Sequence, residues 1–347
     1  MSANRAPNDT TPDQACVDGG SQEPDGGAVT DLLTKAARQE RRGLIPEDRS
    51  IQGASTVVHP AIQTEQAATG DGRVELETIE TPDGTELAAE VHIPRSRPTR
   101  GAVLFVHGFC GDKGENGLFR ALAAHCVEEG FAAVLYDWRG IADSTGDFPS
   151  STLRDHSADF AHVAHWTRSR FNTSIGMMHG VGFSLGAAVI GLAMRQGRVL
   201  DSVAYLSPAS RPSQSMWPRY NNERLLSEVR RHGVVQKPGS SVLLGTSILR
   251  SLRDTDLGNR AFDLTVPLLV CHGTDDVRVE CSHSRELVKQ RVGQSVFRYV
   301  EFVGASHSFK PAESCWDDLG HELTLWFDEA SQSSAQERWR NSDRMCE

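Results

Sequence analysis

Between residues 101 and 302 the chain repeats one pattern, a short apolar run followed by an amphipathic segment of helical period. The runs "GAVLFVHGF", "FAAVLYDWRG", "SIGMMHGVG", "VLDSVAYLSP", "VPLLVCHG" and "VFRYVEFVG" read as strands of a mostly parallel sheet, the first of them suited to burial on both faces. Helical patterns separate them: Leu118 to Glu129, "DHSADFAHVAHWTRSRF", "SLGAAVIGLAMRQ" and the segment around Arg285 to Val292, with "CWDDLGHELTLWFDEA" closing the series. Strands that alternate with helices predict an α/β fold with a mostly parallel central sheet flanked by helices. No internal repeat interrupts this reading.

Three further segments frame that core. "RVELETIETPDGTELAAEVHIP" predicts a hairpin around a Pro-Asp-Gly turn, where glycine supplies a positive φ. Residues 1–71 are rich in Gly, Pro, Asp, Gln and Thr and poor in aromatics, so they bury too little apolar area to offset the entropy of ordering. We expect a largely disordered N-terminal extension, with a short frayed helix starting at Thr30. The main domain should span 72–330, with a polar, frayed tail at 331–347. A stretch at about 209–262 breaks the alternation and holds two helical patterns, Asn222 to Arg231 and Thr246 to Arg253. An insertion at the carboxyl edge of a parallel sheet lies where ligands bind in open α/β folds, which makes this stretch a small helical cap.

A net charge of −10 argues against a nucleic-acid or anionic-membrane surface and leaves small molecules or proteins as expected partners. The seven cysteines are odd in number and scattered, without C-x-x-C spacing, which predicts free thiols and no metal site. No basic segment followed by an apolar one opens the chain, and no apolar run is long enough to span a bilayer. The expected location is the cytoplasm.

One serine stands between two glycines in "HGVGFSLGAAV". In a chain with 31 glycines the G-x-S-x-G string means little by itself. Its context means more, because Ser184 directly follows an apolar strand and opens a helix, the setting of a nucleophile elbow. A serine hydroxyl needs an adjacent base that is itself oriented by an acid. "VCHGTDDVRV" places Asp275 and Asp276 just past one later strand, and "VGASHSF" places His307 just past the next. All of these fall at one edge of the sheet, in the order Ser, Asp, His.

Five ordered pieces, "HGF" (Phe109 last), "DWRGIADS", "GFSLG", "HGTDD" and "ASHSF", make residues 72 to about 330 resemble the α/β-hydrolase superfamily. The pattern is similar to its capped esterases of the serine aminopeptidase-like and cinnamoyl-esterase-like group. The resemblance implies a cofactor-independent serine hydrolase with no metal, which cleaves a small-molecule carboxylic ester through an acyl-enzyme. It further implies Ser184 as nucleophile, His307 as general base and then acid, and Asp276, rather than Asp275, as the carboxylate behind it. The backbone N–H groups of Phe109 and Leu185 would form the oxyanion hole. An acyltransferase or thioesterase acting on a carrier- or CoA-linked acyl group is the competing reading, favoured slightly by Arg219, Arg224, Arg230, Arg231 and Lys237 in the cap. A binding protein without chemistry would show a broken triad. Two positions depart from the family pattern, Cys110 in the first loop and Ala142 where glycine is common. His107, His179 and His272 lack metal-ligand spacing and are expected to stabilise strand ends, and Arg139 to tie loops together.

Overall fold

The apolar runs assemble into one eight-stranded sheet in a computed structural model of the chain. The structure describes residues 72–171, 176–257, 264–289, 296–310 and 312–344. The expected N-terminal extension, its helix at Thr30, Cys16 and Cys346 lie outside them. The strands are β1 (Gly72–Glu80), β2 (Glu86–Pro94), β3 (Gly101–Val106), β4 (Phe131–Tyr136), β5 (Met177–Phe183), β6 (Ser202–Leu206), β9 (Leu268–Gly273) and β10 (Phe297–Phe302), in the order β1-β2-β4-β3-β5-β6-β9-β10. Strand β2 runs antiparallel to both neighbours, and all the other pairs are parallel. The β1–β2 hairpin closes at the Pro-Asp-Gly turn, where Gly84 has φ 81° and the Thr81 hydroxyl donates to Asp83 at 2.6 Å.

Strands β3 to β6 and β9 are buried along their whole length, as expected of a sheet covered on both faces. One face packs helices α1 (Leu118–Glu128) and α9 (Ala312–Arg344). Leu118, Phe119, Leu122, Leu319, Leu323, Trp326 and Phe327 form a single apolar cluster there. Helices α2 (Leu153–Arg170) and α3 (Leu185–Gln196) contribute Phe160, Val163, Val189 and Ile190 to the cluster on the other face. Each such side chain contributes on the order of 1.5–3 kcal/mol when fully buried. Helix α2 starts at a capping box in which Thr152 and Asp155 satisfy each other's backbone N–H groups. Helix α9 passes through residue 331, where the sequence suggested a frayed tail, because no glycine or proline follows Gly320 to stop it.

The insertion between β6 and β9 holds α4 (Pro212–Ser215), α5 (Trp217–Tyr220), α6 (Glu223–His232), a two-stranded ribbon of β7 (Val234–Gln236) and β8 (Leu243–Gly245), and α7 (Thr246–Asp254), and α8 (Cys281–Lys289) follows β9. The two longer helices fall where their apolar spacing placed them. The ribbon did not show in the sequence because three-residue strands carry no alternation to read. The insertion is seated firmly on the body: Leu225, Val229, Ile248, Leu249 and Leu252 join the core cluster. At its base Leu257 N–H donates to Ser210 O at 3.2 Å, and Leu153 N–H donates to the Ser251 hydroxyl at 2.9 Å. Among the described residues no helix is long and apolar enough to cross a membrane.

Candidate active site

From β3 the chain turns to β4 on one side, and from β5 it turns to β6 on the other, although β3 and β5 are neighbours. This reversal opens a crevice at the carboxyl ends of the strands, where doubly wound sheets bind ligands. The loop after β3 carries Phe109, the turn after β5 carries Ser184, the loop after β9 carries Asp275 and Asp276, and the loop after β10 carries His307.

Ser184 adopts φ 51°, ψ −116°, a conformation that costs a non-glycine residue about 1–3 kcal/mol. Its surroundings hold it there. Ser184 N–H donates to Leu206 O at 2.9 Å, and Ser184 O accepts from Ala209 N–H at 2.9 Å, so the elbow is tied to the end of β6. A methyl group at Gly186 would collide with the carbonyl oxygens of Val106 and His107, which is why the turn can close this tightly only with glycine. Ser184 is buried to 6 % exposure, and its hydroxyl makes no hydrogen bond among the described residues.

His307 and Asp276 are brought together directly. His307 Nδ1–H donates to Asp276 Oδ2 at 2.6 Å, which leaves Nε2 as the basic nitrogen. The Asp276 carboxylate also accepts from His272 Nε2–H at 3.1 Å and, through Oδ1, from the N–H groups of Arg278 and Val279 at 2.8 and 2.9 Å. Burial raises the Asp276 carboxyl, but these donors outweigh it and hold it well below the usual carboxylate range. His272 also lies 2.8 Å from Val279 O, so its Nε2 carries the proton, while Nδ1 accepts from the Ser284 hydroxyl at 2.7 Å. Asp275, by contrast, is exposed, and its carboxylate meets the Thr274 hydroxyl. His307 is linked to the elbow through Phe183, whose ring lies 5.0 Å from the imidazole between centroids. No hydrogen bond joins Ser184 to His307. Burial lowers the His307 imidazole below 6.5 despite its bond to Asp276.

The loop after β3 lies against the elbow, since a methyl group at Gly108 would stand 3.3 Å from Ser184 Cβ. Trp138 N–H donates to His107 Nε2 at 3.1 Å, so His107 Nδ1 carries the proton and donates it to Gly108 O at 2.8 Å. Gly108 C=O and Phe109 N–H share one planar trans peptide. The imidazole therefore fixes the direction of the Phe109 N–H. On the other side, Gly108 N–H donates to Glu115 Oε2 at 2.8 Å. Farther along, Lys113 N–H and Nζ both donate to Asp137 at 2.7 Å, and Nζ also reaches Asp143 at 2.6 Å. The backbone N–H groups of Phe109 and Leu185 themselves make no hydrogen bond among the described residues.

Phe109 faces the cap through Tyr220, centroids 5.6 Å apart, and the body through Phe148 at 5.8 Å. Cys110 is partly buried, and burial pushes its thiol up to about 12, so it stays protonated and inert at neutral pH. The five cysteines among the described residues are free. Arg139 bonds Asp159 in a fork at 2.7 and 2.5 Å and Asp83 at 2.9 Å, tying the β4 loop to α2 and the hairpin turn. His179 bonds Ser202 at 2.7 Å and is a strand-packing residue. Sequence reasoning passed over the clasp formed by Lys113, Asp137 and Asp143, as well as Glu115. The only signal for either was a set of charged residues inside a glycine-rich loop.

The family model for X-Pro dipeptidyl-peptidases (S15 family) matches residues 83–230, less than half of the chain. That span covers the Phe109 loop, the elbow and part of the cap, but stops short of Asp276 and His307. An uncharacterized 31.7 kDa protein of the traX-finO intergenic region of Escherichia coli is 28% identical over 125 residues, which are 35% of this chain and 42% of that protein. Est1E from Butyrivibrio proteoclasticus, solved with ferulic acid bound, aligns over 73% of this chain and 98% of its own, with TM-score 0.61 and 20% identity. The Pyrococcus furiosus esterase Pf2001 aligns over 74% and 91%, with TM-score 0.56 and 15% identity. XC6422 from Xanthomonas campestris, an α/β serine hydrolase without a lid, aligns over 74% and 94%, with TM-score 0.52 and 18% identity.

Proposed function

We propose that this chain, which has the fold of the α/β-hydrolase superfamily, is a serine hydrolase that cleaves a carboxylic ester through an acyl-enzyme on Ser184. One observation carries the reading: the serine held at positive φ after β5 faces the same sheet edge as a histidine bonded to a buried aspartate at 2.6 Å. In this mechanism His307 Nε2 takes the Ser184 proton as the oxygen attacks the ester carbonyl. Asp276 stabilises the imidazolium and keeps Nδ1 protonated, so the basic nitrogen stays free to act. The N–H groups of Phe109 and Leu185 receive the negative charge that develops on the carbonyl oxygen. His307 then returns the proton to the departing alcohol, and water repeats the sequence to release the acid. His107 orients one oxyanion donor. The partly exposed rings of Phe109 and Tyr220, backed by the buried Phe148, supply apolar surface for the acyl or alcohol group.

Two observations bear on the leaving group. The S15 match favours amide cleavage, which needs the same triad with a poorer leaving group. A thioesterase or acyltransferase reading draws on two cations that make no side-chain hydrogen bond or ion pair among the described residues. Arg278, two residues past Asp276, acts electrostatically on His307 and Tyr220, and Lys237 acts on Cys110 beside Phe109. An aryl ester, an X-Pro anilide and an acyl thioester, each assayed with the native enzyme and Ser184→Ala, test these readings. We expect the highest kcat/KM on the ester and a loss of several powers of ten in the variant. Preferred turnover of the anilide or thioester would reassign the substrate class, and near-full activity of Ser184→Ala would refute the nucleophile.

A further inference from the structure

We infer that Glu115 is a positioning residue whose ionised carboxylate holds the oxyanion loop in its working shape, an inference that rests on the Ser184 reading above. Glu115 sits in a single 3-10 turn (Glu115–Gly117) with φ 43°, followed by Asn116 at φ 56°. Two consecutive non-glycine residues at positive φ are costly and persist only where the surroundings impose them. The imposed conformation turns the side chain inward, to 8 % exposure. There Oε2 accepts from Gly108 N–H at 2.8 Å and lies so close under the loop that a methyl group at Gly111 would stand 2.5 Å from it. The peptide before Gly108 is thus held by Glu115 and the peptide after it by His107. With both neighbouring planes fixed, the Phe109 N–H has one direction.

A buried carboxylate that accepts a single backbone hydrogen bond is a costly way to hold a loop, because a neutral side chain would avoid the desolvation. Burial raises the Glu115 carboxyl, Gly108 N–H lowers it, the Asp112 carboxylate raises it and the Arg278 guanidinium lowers it, leaving it at about 7. The charge is therefore present above neutrality and absent below. A hydrogen bond to a charged acceptor is about twice as strong as a neutral one, so within the closed loop the ionised form fixes the direction of the Gly108 N–H more tightly, at a cost in desolvation.

The test is the pH dependence of ester turnover in Glu115→Gln and Glu115→Ala beside the native enzyme. Glutamine copies the protonated carboxyl. At pH 8 we expect kcat to fall about fivefold in the Gln variant and about thirtyfold or more in the Ala variant, with KM within threefold in both. As pH falls through about 7 the native and Gln enzymes should converge. A native-to-Gln ratio of kcat that stays constant from pH 6 to 8 overturns the inference, as does an Ala variant within twofold of native. If Glu115→Ala does not fold, the pH dependence of the Gln ratio decides alone. Ser184→Ala, run alongside, separates the two levels. Activity surviving there overturns the nucleophile and this inference with it, whereas activity lost there but kept in Glu115→Ala overturns this inference only.

Discussion

Glu115→Gln should make the protein more stable at alkaline pH. The native carboxyl has an ordinary value of 4.5 when exposed and is raised to about 7 in the fold. Above pH 7 the folded protein therefore carries a charge that burial disfavours, and the unfolded chain does not bear that cost. At about 1.4 kcal/mol for each tenfold step, the interval from 4.5 to about 7 is a handicap of about 3 kcal/mol. The sign follows from linkage. The folded state binds the proton more tightly than the unfolded one, so native stability falls as pH rises from 4.5 to about 7 and is level above. Glutamine removes the titration, although its amide N–H₂ needs an acceptor, which costs about 1 kcal/mol if the acceptor is imperfect. The net gain is about 2 kcal/mol at pH 8, disappears at about pH 5 and becomes a loss of about 1 kcal/mol below pH 4.5. Urea unfolding of both proteins at pH 5 and pH 8 measures it. A Gln variant less stable than native at pH 8, or an advantage that does not change with pH, would refute the reasoning. Paired with slower turnover, a stability gain would mark Glu115 as a group kept for function at the expense of the fold.

Other outcomes follow from single contacts. Ala142 adopts φ 47° on an exposed loop; Ala142→Gly relieves a left-handed conformation costing about 1–2 kcal/mol in alanine, less the extra freedom of the unfolded chain. Thermal unfolding should show a gain of up to about 1 kcal/mol, and a loss would contradict the strain. Asp276→Asn removes the charge that accepts from His307 and His272, and kcat should fall on the order of 10⁴-fold; less than a tenfold loss would separate Asp276 from the chemistry. In Glu115→Gln the remaining acid limb of kcat/KM belongs to His307 and should lie below 6.5 because burial favours the neutral ring. A limb above 6.5 would oppose that assignment.

The sheet was legible because β3 to β6 and β9 are short apolar runs without a polar face, and burial on both faces permits nothing else. Ser184 and Asp276 were legible for a related reason, each lying just past such a run, whereas His307 lies past the half-buried β10, whose strand pattern still marks the same sheet edge. The clasp of Lys113 on Asp137 and Asp143 was hidden, because it joins loops whose approach depends on β3 and β4 lying side by side. Glu115 was hidden more deeply. Its inward turn comes from backbone angles at 115 and 116 that no local propensity favours. The cap helices showed in their apolar spacing, whereas the contacts that orient them on the body, such as Leu153 N–H to the Ser251 hydroxyl, join residues far apart in the chain.

The central claim is that the oxygen of Ser184 becomes covalently acylated during turnover. Mixing the enzyme with an aryl ester, quenching in acid within milliseconds and mapping peptides by mass spectrometry measures this directly. The account predicts an acyl group on the peptide containing Ser184 that accumulates with the first burst of alcohol and disappears on chase. Steady ester turnover with Ser184 unmodified at every time, or an adduct on Cys110 instead, would contradict it.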